Sequence, residues 1–219
     1  MLKKTTIQAV DTLIRRYPTL AAMKENFLQA VDILIETYRK GGKLILCGNG
    51  GSAADAEHIV GELMKGFLLP RKLEGSLAES IKEKCPPDTA DYLLKNLQGA
   101  LPAVSLVSAI AFNTAFANDQ AADLAFAQQV LGIGKPEDTL LGISTSGNSK
   151  NVIYALHMAK VKGMRRIALL GKGGGKIKSE HLADVHLCAP ADETYRIQEL
   201  HLPIYHMLCI AVENEFFGD

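Results

Sequence analysis

The sequence predicts an α/β fold, in which helices cover both faces of a parallel β-sheet. Five short apolar runs, most of them nearly continuous, are typical of strands buried on both faces. Segments with helical periodicity lie between these runs, and the resulting β-α-β alternation favours parallel strands joined by crossover helices. The five predicted strands span residues 43–47, 103–107, 139–143, 165–170 and 183–188.

The predicted helices fill the intervals between strands and both ends of the chain. Residues 5–40 are expected to form a hairpin of two helices with a break near Tyr17-Pro18, and Gly41-Gly42 ends the second helix. A long helix is expected at 192–217, with Pro203 as a possible site of a kink. The other predicted helices span 52–66, 108–131 with a break at Asn118-Asp119, and 149–162.

Residues 71–99 do not follow this alternation. The segment is charged and is interrupted by Gly and Pro, although Asp88 is a suitable N-cap for a short helix that continues to residue 98. We expect a surface insertion within a single domain that spans residues 1–219. We expect this insertion to be a solvent-exposed segment. The alternatives are that it forms a lid over a pocket or a contact between subunits.

Composition and charge exclude several classes of function. The 219 residues include 24 basic and 24 acidic side chains, and this zero net charge gives no bulk attraction to nucleic acid or to an anionic membrane. No apolar run reaches the roughly 18 residues of a membrane span, and the N-terminus is too polar for a signal peptide. Four widely spaced cysteines without a C-x-x-C pair are typical of reduced thiols in a cytoplasmic protein.

Two segments rich in glycine and hydroxyl residues follow the first and third predicted strands. They are Gly48-Asn49-Gly50-Gly51-Ser52 and Ser144-Thr145-Ser146-Gly147-Asn148-Ser149, and each precedes a helical segment. Such a turn binds anions, because backbone N–H groups converge at the partly positive helix N-terminus. Gly and Ser are also common at ordinary strand-to-helix turns, but two such segments favour a phosphorylated ligand held between them. Neither matches a nucleotide-binding fingerprint, so a small phosphorylated molecule is favoured over ATP or NAD.

Two pairs of side chains on separate predicted helices are candidates for catalysis. His58 and Glu62 are four residues apart and therefore share one helix face. Gln198 and His206 are eight residues apart on the final helix and also roughly share a face. A single histidine on a helix is more often a packed or surface residue. If the two helices meet, however, the four side chains could form a zinc site or an acid–base pair that moves a proton.

Several motifs match one known family in the same order along the chain. They are Gly48-Asn49-Gly50-Gly51-Ser52, Asp55-Ala56-x-His58-x-x-x-Glu62, Asn118-Asp119, Gly142-Ile143-Ser144-Thr145-Ser146-Gly147-Asn148-Ser149 and Arg196-Ile197-Gln198-Glu199-x-His201. With these motifs the sequence resembles the sugar isomerase (SIS) domain family, and within it the phosphoheptose isomerases. The resemblance covers nearly the whole chain except residues 71–99.

The resemblance implies a doubly wound sandwich with a five-stranded parallel sheet. It also implies a homotetramer with active sites between subunits, in which residues 1–40 and the C-terminal helix build the core of the assembly. The implied activity is aldose–ketose isomerisation of sedoheptulose 7-phosphate to D-glycero-D-manno-heptose 7-phosphate through an enediol. The implied partners are a phosphorylated sugar and further copies of the chain.

The resemblance also assigns site residues when the family motifs are matched position by position. Glu62 is the implied base and His206 the partnering acid. The implied phosphate-binding residues are Ser144, Thr145, Ser146 and Ser149. The implied sugar-binding residues are Asn49, Gly50, Gly51, Ser52, Glu62, Asn118, Asp119 and Gln198. Zinc, one ion per subunit where the family binds it, would take His58, Glu62, Gln198 and His206.

Three departures from the family pattern leave the exact sugar open. Tyr195 occupies a position where phosphoheptose isomerases often carry Asp, Ala53-Ala54 replaces bulkier or polar residues, and the insertion is longer than in compact members. The Ser-Ala-Ala stretch is similar to a sister branch that binds the replication initiator protein, but that branch lacks the counterparts of Glu62 and His206. The alternatives are therefore a SIS enzyme for another sugar phosphate, or a non-catalytic SIS module that binds a sugar phosphate or a protein partner.

Overall fold

The centre of the molecule is a parallel five-stranded sheet with strand order β2-β1-β3-β4-β5. The structure, a computed structural model, describes residues 2–218. The strands are β1 (Leu44–Cys47), β2 (Ala103–Ser105), β3 (Thr139–Ser144), β4 (Arg165–Gly171) and β5 (Val185–Ala189). The predicted α/β fold is confirmed, and each strand begins and ends within two residues of its predicted bounds. Every residue of β1 and β3 is buried, which explains the continuous apolar character of these runs.

Helices cover both faces of this sheet. A 3₁₀ turn at Pro18–Met23 separates the first two helices at the predicted break. The helices are α1 (Lys4–Arg16), α2 (Lys24–Arg39), α3 (Gly51–Met64), α4 (Gly75–Lys84), α5 (Pro87–Asn96), α6 (Ile110–Phe116), α7 (Ala125–Ile133), α8 (Lys150–Val161), α9 (Gly175–Ser179) and α10 (Thr194–Phe217). None of the helices in residues 2–218 combines the length and apolar character required to cross a bilayer.

Two apolar cores lie on opposite faces of the sheet. Ile45 and Leu46 are consecutive in β1 and point into different cores, as the period of two along a strand requires. The core on the Leu46 side includes residues of α1, α2, α3 and α10, while the Ile45 side is covered mainly by α7 and α8. The helices that carry His58 and His206 therefore pack on the same face of the sheet.

Residues 71–99 contain two helices that pack on each other, α4 and α5, in which only Ala90 is buried. The base of this hairpin is closed by an antiparallel bridge between Lys72 and Gln98, and by a hydrogen bond from the Gly99 N–H to the Arg71 carbonyl at 2.6 Å. Arg71 departs from the expected solvated state, because it is only 1% exposed. The segment is thus exposed along its helices and anchored at its base.

The order of strands places two loops side by side. β1 pairs with β2 on one side and with β3 on the other, so the direction of winding reverses between β1 and β3. In doubly wound sheets, ligands bind beyond the carboxyl ends of the strands at this reversal. The loops that follow β1 and β3 are the two glycine- and hydroxyl-rich segments.

Candidate active site

A pair of asparagines joins the two loops at the strand reversal. The Asn49 amide donates to Asn151 Oδ1 at 2.9 Å, and the Asn151 amide donates to Asn49 Oδ1 at 2.8 Å. Asn49 belongs to the loop after β1, and Asn151 to the first turn of α8. Sequence reasoning missed Asn151, because one asparagine near a helix start gives no distinguishing signal.

The hydroxyl-rich loop after β3 is a tight turn that leads into α8. Ser144 Oγ lies 3.0 Å from Ser149 Oγ and accepts the Gly147 N–H at 3.1 Å. Ser146 Oγ accepts the Asn148 N–H at 3.2 Å. Gly147 has φ +64°, and a Cβ at this position would clash with the Gly174 carbonyl. The turn therefore requires glycine here and holds three of the predicted phosphate-binding hydroxyls close to one helix N-terminus.

The first turns of α10 lie against both loop regions. A Cβ at Gly51 would clash with the Gln198 amide, so Gln198 lies at the start of α3. Ile197 packs against Gly171, whose N–H donates to the Thr145 carbonyl at 3.0 Å. Gln198 is thus beside the predicted sugar-binding loop, as the sequence analysis expected.

Asn118 and Asp119 lie in a π-helical turn that follows α6. The α-helix ends at Phe116, close to the break predicted from the sequence. Within residues 2–218, their one side-chain hydrogen bond joins the Asn118 amide to the Asp119 carboxylate at 2.9 Å. Both residues are exposed. In the described part of the chain, no side-chain hydrogen bond connects this pair to either loop.

A compact cluster forms where α3 meets α10. His58 Nε2 lies 3.1 Å from Glu62 Oε1, which confirms the contact expected from their spacing. The rings of His58 and His206 are 5.0 Å apart between centroids. The Tyr205 hydroxyl lies 2.9 Å from His58 Nδ1. Sequence analysis left open whether the two helices meet, and the structure shows that they do.

The electrostatics of this cluster suit proton transfer. Burial lowers the pKa of His206, the nearby His58 lowers it further, and Glu62 opposes the shift. The lowered pKa favours the neutral imidazole of His206, and among residues 2–218 its buried Nε2 has no hydrogen-bond partner. The Glu62 side chain is 13% exposed and pairs with Lys65 Nζ at 3.2 Å. A carboxylate beside a neutral imidazole can accept and deliver protons within one site.

Tyr205 and Asp55 belong to the same cluster, although sequence reasoning gave neither a role. Burial raises the pKa of the Tyr205 phenol, and the neighbouring Asp55 raises it further. The phenol stays protonated and can donate to His58. Burial also raises the pKa of the Asp55 carboxyl, and one of its oxygens is buried without a partner. Asp55 precedes His58 by three residues, so helical spacing is the signal that could have identified it.

His58, Glu62 and His206 are not arranged as a metal site in the described part of the chain. Within residues 2–218, no three His, Cys, Asp or Glu side chains are arranged to hold a metal. Both ring nitrogens of His58 already contact protein groups, Glu62 and Tyr205. Gln198 precedes His206 by eight residues, which corresponds to a rise of roughly 12 Å along α10. The Gln198 amide itself lies beside Gly51, at the start of α3.

Comparison with known proteins identifies the family of this chain. The family model described as "SIS domain" matches residues 8–93 and 95–171, which includes much of the expected insertion. A phosphoheptose isomerase from Helicobacter pylori (strain P12) is 40% identical over 198 residues, which cover 90% of this chain and 88% of the relative.

Two solved structures extend the similarity to three dimensions. A phosphoheptose isomerase from Neisseria gonorrhoeae has a TM-score of 0.71 at 32% identity, with 93% of this chain and 94% of the other covered. One from Francisella tularensis has a TM-score of 0.72 at 30% identity, with 96% and 94% covered. The chain belongs to the SIS domain family and, within it, to the phosphoheptose isomerases.

Proposed function

We propose that this protein is an aldose–ketose isomerase that converts sedoheptulose 7-phosphate into D-glycero-D-manno-heptose 7-phosphate for heptose biosynthesis. The observation that carries the proposal is the cluster of His58, Glu62 and His206 in a chain that is 40% identical to a phosphoheptose isomerase. A module that only binds sugar phosphates has no need for a carboxylate in contact with one imidazole and close to a second.

The reaction moves a proton between C1 and C2 of the sugar. Glu62 takes the proton from the carbon next to the ketose carbonyl, and the electrons of the broken C–H bond form the enediol double bond. Glu62 then returns the proton to the neighbouring carbon. His206 moves protons between the two oxygens, a role that suits an imidazole kept neutral by burial. Each group supplies on the order of 10²–10⁴ in rate.

The phosphate is proposed to bind at the turn after β3. Hydroxyls of Ser144, Thr145, Ser146 and Ser149 supply donors there, and backbone N–H groups at the start of α8 supply more. Asn49, Gly50, Gly51 and Ser52 contact the sugar from the adjacent loop. Asn118 and Asp119 are proposed to join them in the assembled enzyme.

We propose a homotetramer, because the parts of this site are spread along α3 and α10. Glu62 follows Gly51 by eleven residues on α3, a rise of roughly 16 Å, and Gln198 and His206 are similarly separated on α10. The resemblance to the family implies active sites between subunits. The phosphate-binding turn and Gln198 of one subunit would then complete the cluster of another.

Zinc is a further part of the proposal. His58, Glu62 and His206 of one subunit, with Gln198 of another, offer two imidazoles, a carboxylate and an amide oxygen, which are groups that zinc accepts. Bound zinc would act as a Lewis acid on the sugar oxygens, and its binding would replace the hydrogen bond between His58 and Glu62. Metal analysis of the purified tetramer should give one zinc per subunit and a much lower ratio for His58→Ala. An equal ratio in both proteins would exclude this ligand set.

The proposed enzyme acts in the cytoplasm on a small molecule. All four cysteines are free thiols in the described structure, which suits a reducing compartment. The formal net charge is zero, which gives no general attraction to nucleic acid.

The function is tested by incubating purified protein with a panel of ketose phosphates and following isomer formation by NMR. Sedoheptulose 7-phosphate should be converted with the highest kcat/KM. Conversion of a different ketose phosphate with a higher kcat/KM would favour another SIS enzyme. Binding of sugar phosphates without any conversion would identify a non-catalytic module.

A further inference from the structure

A buried ion pair borders the cluster at the α3–α10 contact. Arg71 Nε lies 2.8 Å from Glu213 Oε1, and both side chains are 0% exposed. The Glu213 carboxylate also accepts the backbone N–H groups of Phe67, Leu68 and Leu69 at 2.8, 2.8 and 3.2 Å. One carboxylate therefore holds three consecutive N–H groups of the loop that follows α3.

The guanidinium of Arg71 reaches the end of α3. Its Nη1 donates to the Leu63 carbonyl at 2.6 Å, and its Nη2 donates to the Glu62 carbonyl at 3.0 Å. These carbonyls belong to the last turn of α3, whose backbone acceptors have no partner within the helix. Arg71 thus caps the helix at the residue whose side chain is the proposed base.

The other end of the pair is connected to His206. Glu213 follows His206 by seven residues, so both lie on the same face of α10, two turns apart. Phe67, whose N–H is held by Glu213, packs its ring against His206 with centroids 5.3 Å apart. The ion pair therefore contacts the backbone of Glu62 directly and His206 through Phe67.

We propose that Arg71 and Glu213 are positioning residues that hold Glu62 and His206 in a fixed mutual geometry. This inference rests on the proposed isomerase function. A buried ion pair loses the solvation of both charges, and its replacement by apolar residues is often neutral or stabilising. The five hydrogen bonds that it makes with the backbone instead fix where α3 ends relative to α10. Such geometry matters for rate, because a shift of about 1 Å in a reacting group can cost on the order of 10²-fold.

The first test compares Arg71→Lys and Glu213→Gln with the wild type. Lysine keeps the charge but lacks the planar fork that reaches two carbonyls and a carboxylate. Each variant is checked for fold by circular dichroism and for assembly by light scattering before kinetics. We expect kcat to fall about tenfold or more, with KM within about twofold of wild type. The matched control is Arg166→Lys. This substitution alters the ion pair between Arg166 and Asp184, 2.8 Å apart where β4 adjoins β5, and kcat should stay unchanged.

A second variant keeps both charges and tests the connection to His206. Phe67→Leu removes the ring contact while the backbone N–H still meets Glu213, so kcat should fall at nearly constant KM. If either Arg71→Lys or Glu213→Gln folds and assembles but keeps the wild-type kcat, the inference is overturned. If neither of these variants folds, a wild-type kcat in Phe67→Leu overturns it instead. A wild-type protein without isomerase activity would instead contradict the proposed function.

Discussion

Burial gives the histidines of this chain different chemistry. His201 is fully buried on α10, where its Nε2 faces the Leu170 carbonyl at 3.1 Å, and burial lowers its pKa to about 4. His206, five residues later, is only partly buried; its ring packs against His58, and the charge of Glu62 acts on its pKa. The first histidine is a packed core residue, and the second has the surroundings of a proton carrier. Residue type alone therefore does not separate structural from functional histidines.

The role of Glu62 as base can be tested by one substitution. Glu62→Gln keeps the size of the side chain and leaves the phosphate-binding turn intact, so kcat should fall by about 10² or more with little change in KM. Glu36→Gln is the control, because Glu36 also pairs with a lysine on a helix but lies on α2, where its ion-pair partners are Lys40 and Arg165. Near-normal turnover of the Glu62 variant would exclude Glu62 as the base.

The buried His201 predicts a pH-dependent stability. Its folded-state pKa of about 4 lies below the ordinary value of 6.5, so the unfolded chain binds the proton more readily. The contribution of the neutral His201 to the free energy of unfolding is fully present above pH 6.5. As the pH falls towards 4, this contribution of roughly 3 kcal/mol is lost. Urea unfolding across this range should show a smaller loss for His201→Gln than for wild type. The exposed His157→Gln serves as the control, and equal pH dependence in all three proteins would refute the assignment.

At the scale of elements, the strands were predictable and the contacts between helices were not. β3 is buried throughout, so its apolar run identified it directly. α4 has no buried residue and α9 has only five residues, so neither carries an apolar stripe that sequence analysis could detect. The contact between His58 and Tyr205 joins residues 147 positions apart. Such a contact depends on how α3 and α10 pack, which no local pattern determines.

The turn between β3 and α8 is the element whose function is most directly testable. Ser144→Ala and Thr145→Ala should each weaken the binding of a sugar phosphate by roughly 1–3 kcal/mol, the loss expected for a hydrogen bond to a charged group. Ser179→Ala, an exposed hydroxyl on α9, is the matched control. Calorimetric titration with phosphorylated and unphosphorylated sugar measures the effect. Equal affinity of the wild type for both sugars would show that the segment is a structural turn only.

At the scale of the whole molecule, much of the apolar surface of α10 is covered within the chain. The family resemblance implies that this helix helps to build the core of a tetramer, so a partner surface is expected on it. In the structure, α1, α2 and α3 pack against α10 and help to bury Ile204, Leu208 and Val212. Leu202 remains 41% exposed on α10, and Ile7 remains 36% exposed on α1. A groove of about 180 Å³ between these helices is lined in part by Leu13, Leu202 and His206.

The proposed tetramer predicts that assembly and activity are lost together. Ile7→Glu and Leu202→Glu each place a charge on the exposed apolar surface of α1 and α10, where a subunit contact would leave it desolvated and unpaired. Multi-angle light scattering should show a stable tetramer for wild type and smaller species for both variants, with isomerase activity reduced in parallel. Leu77→Glu is the control, because Leu77 is 56% exposed on α4, outside the helices proposed to form the interface. Since the proposed active site lies between subunits, a dissociated subunit should be folded but inactive. A fully active monomer would contradict both the tetramer and the shared active site.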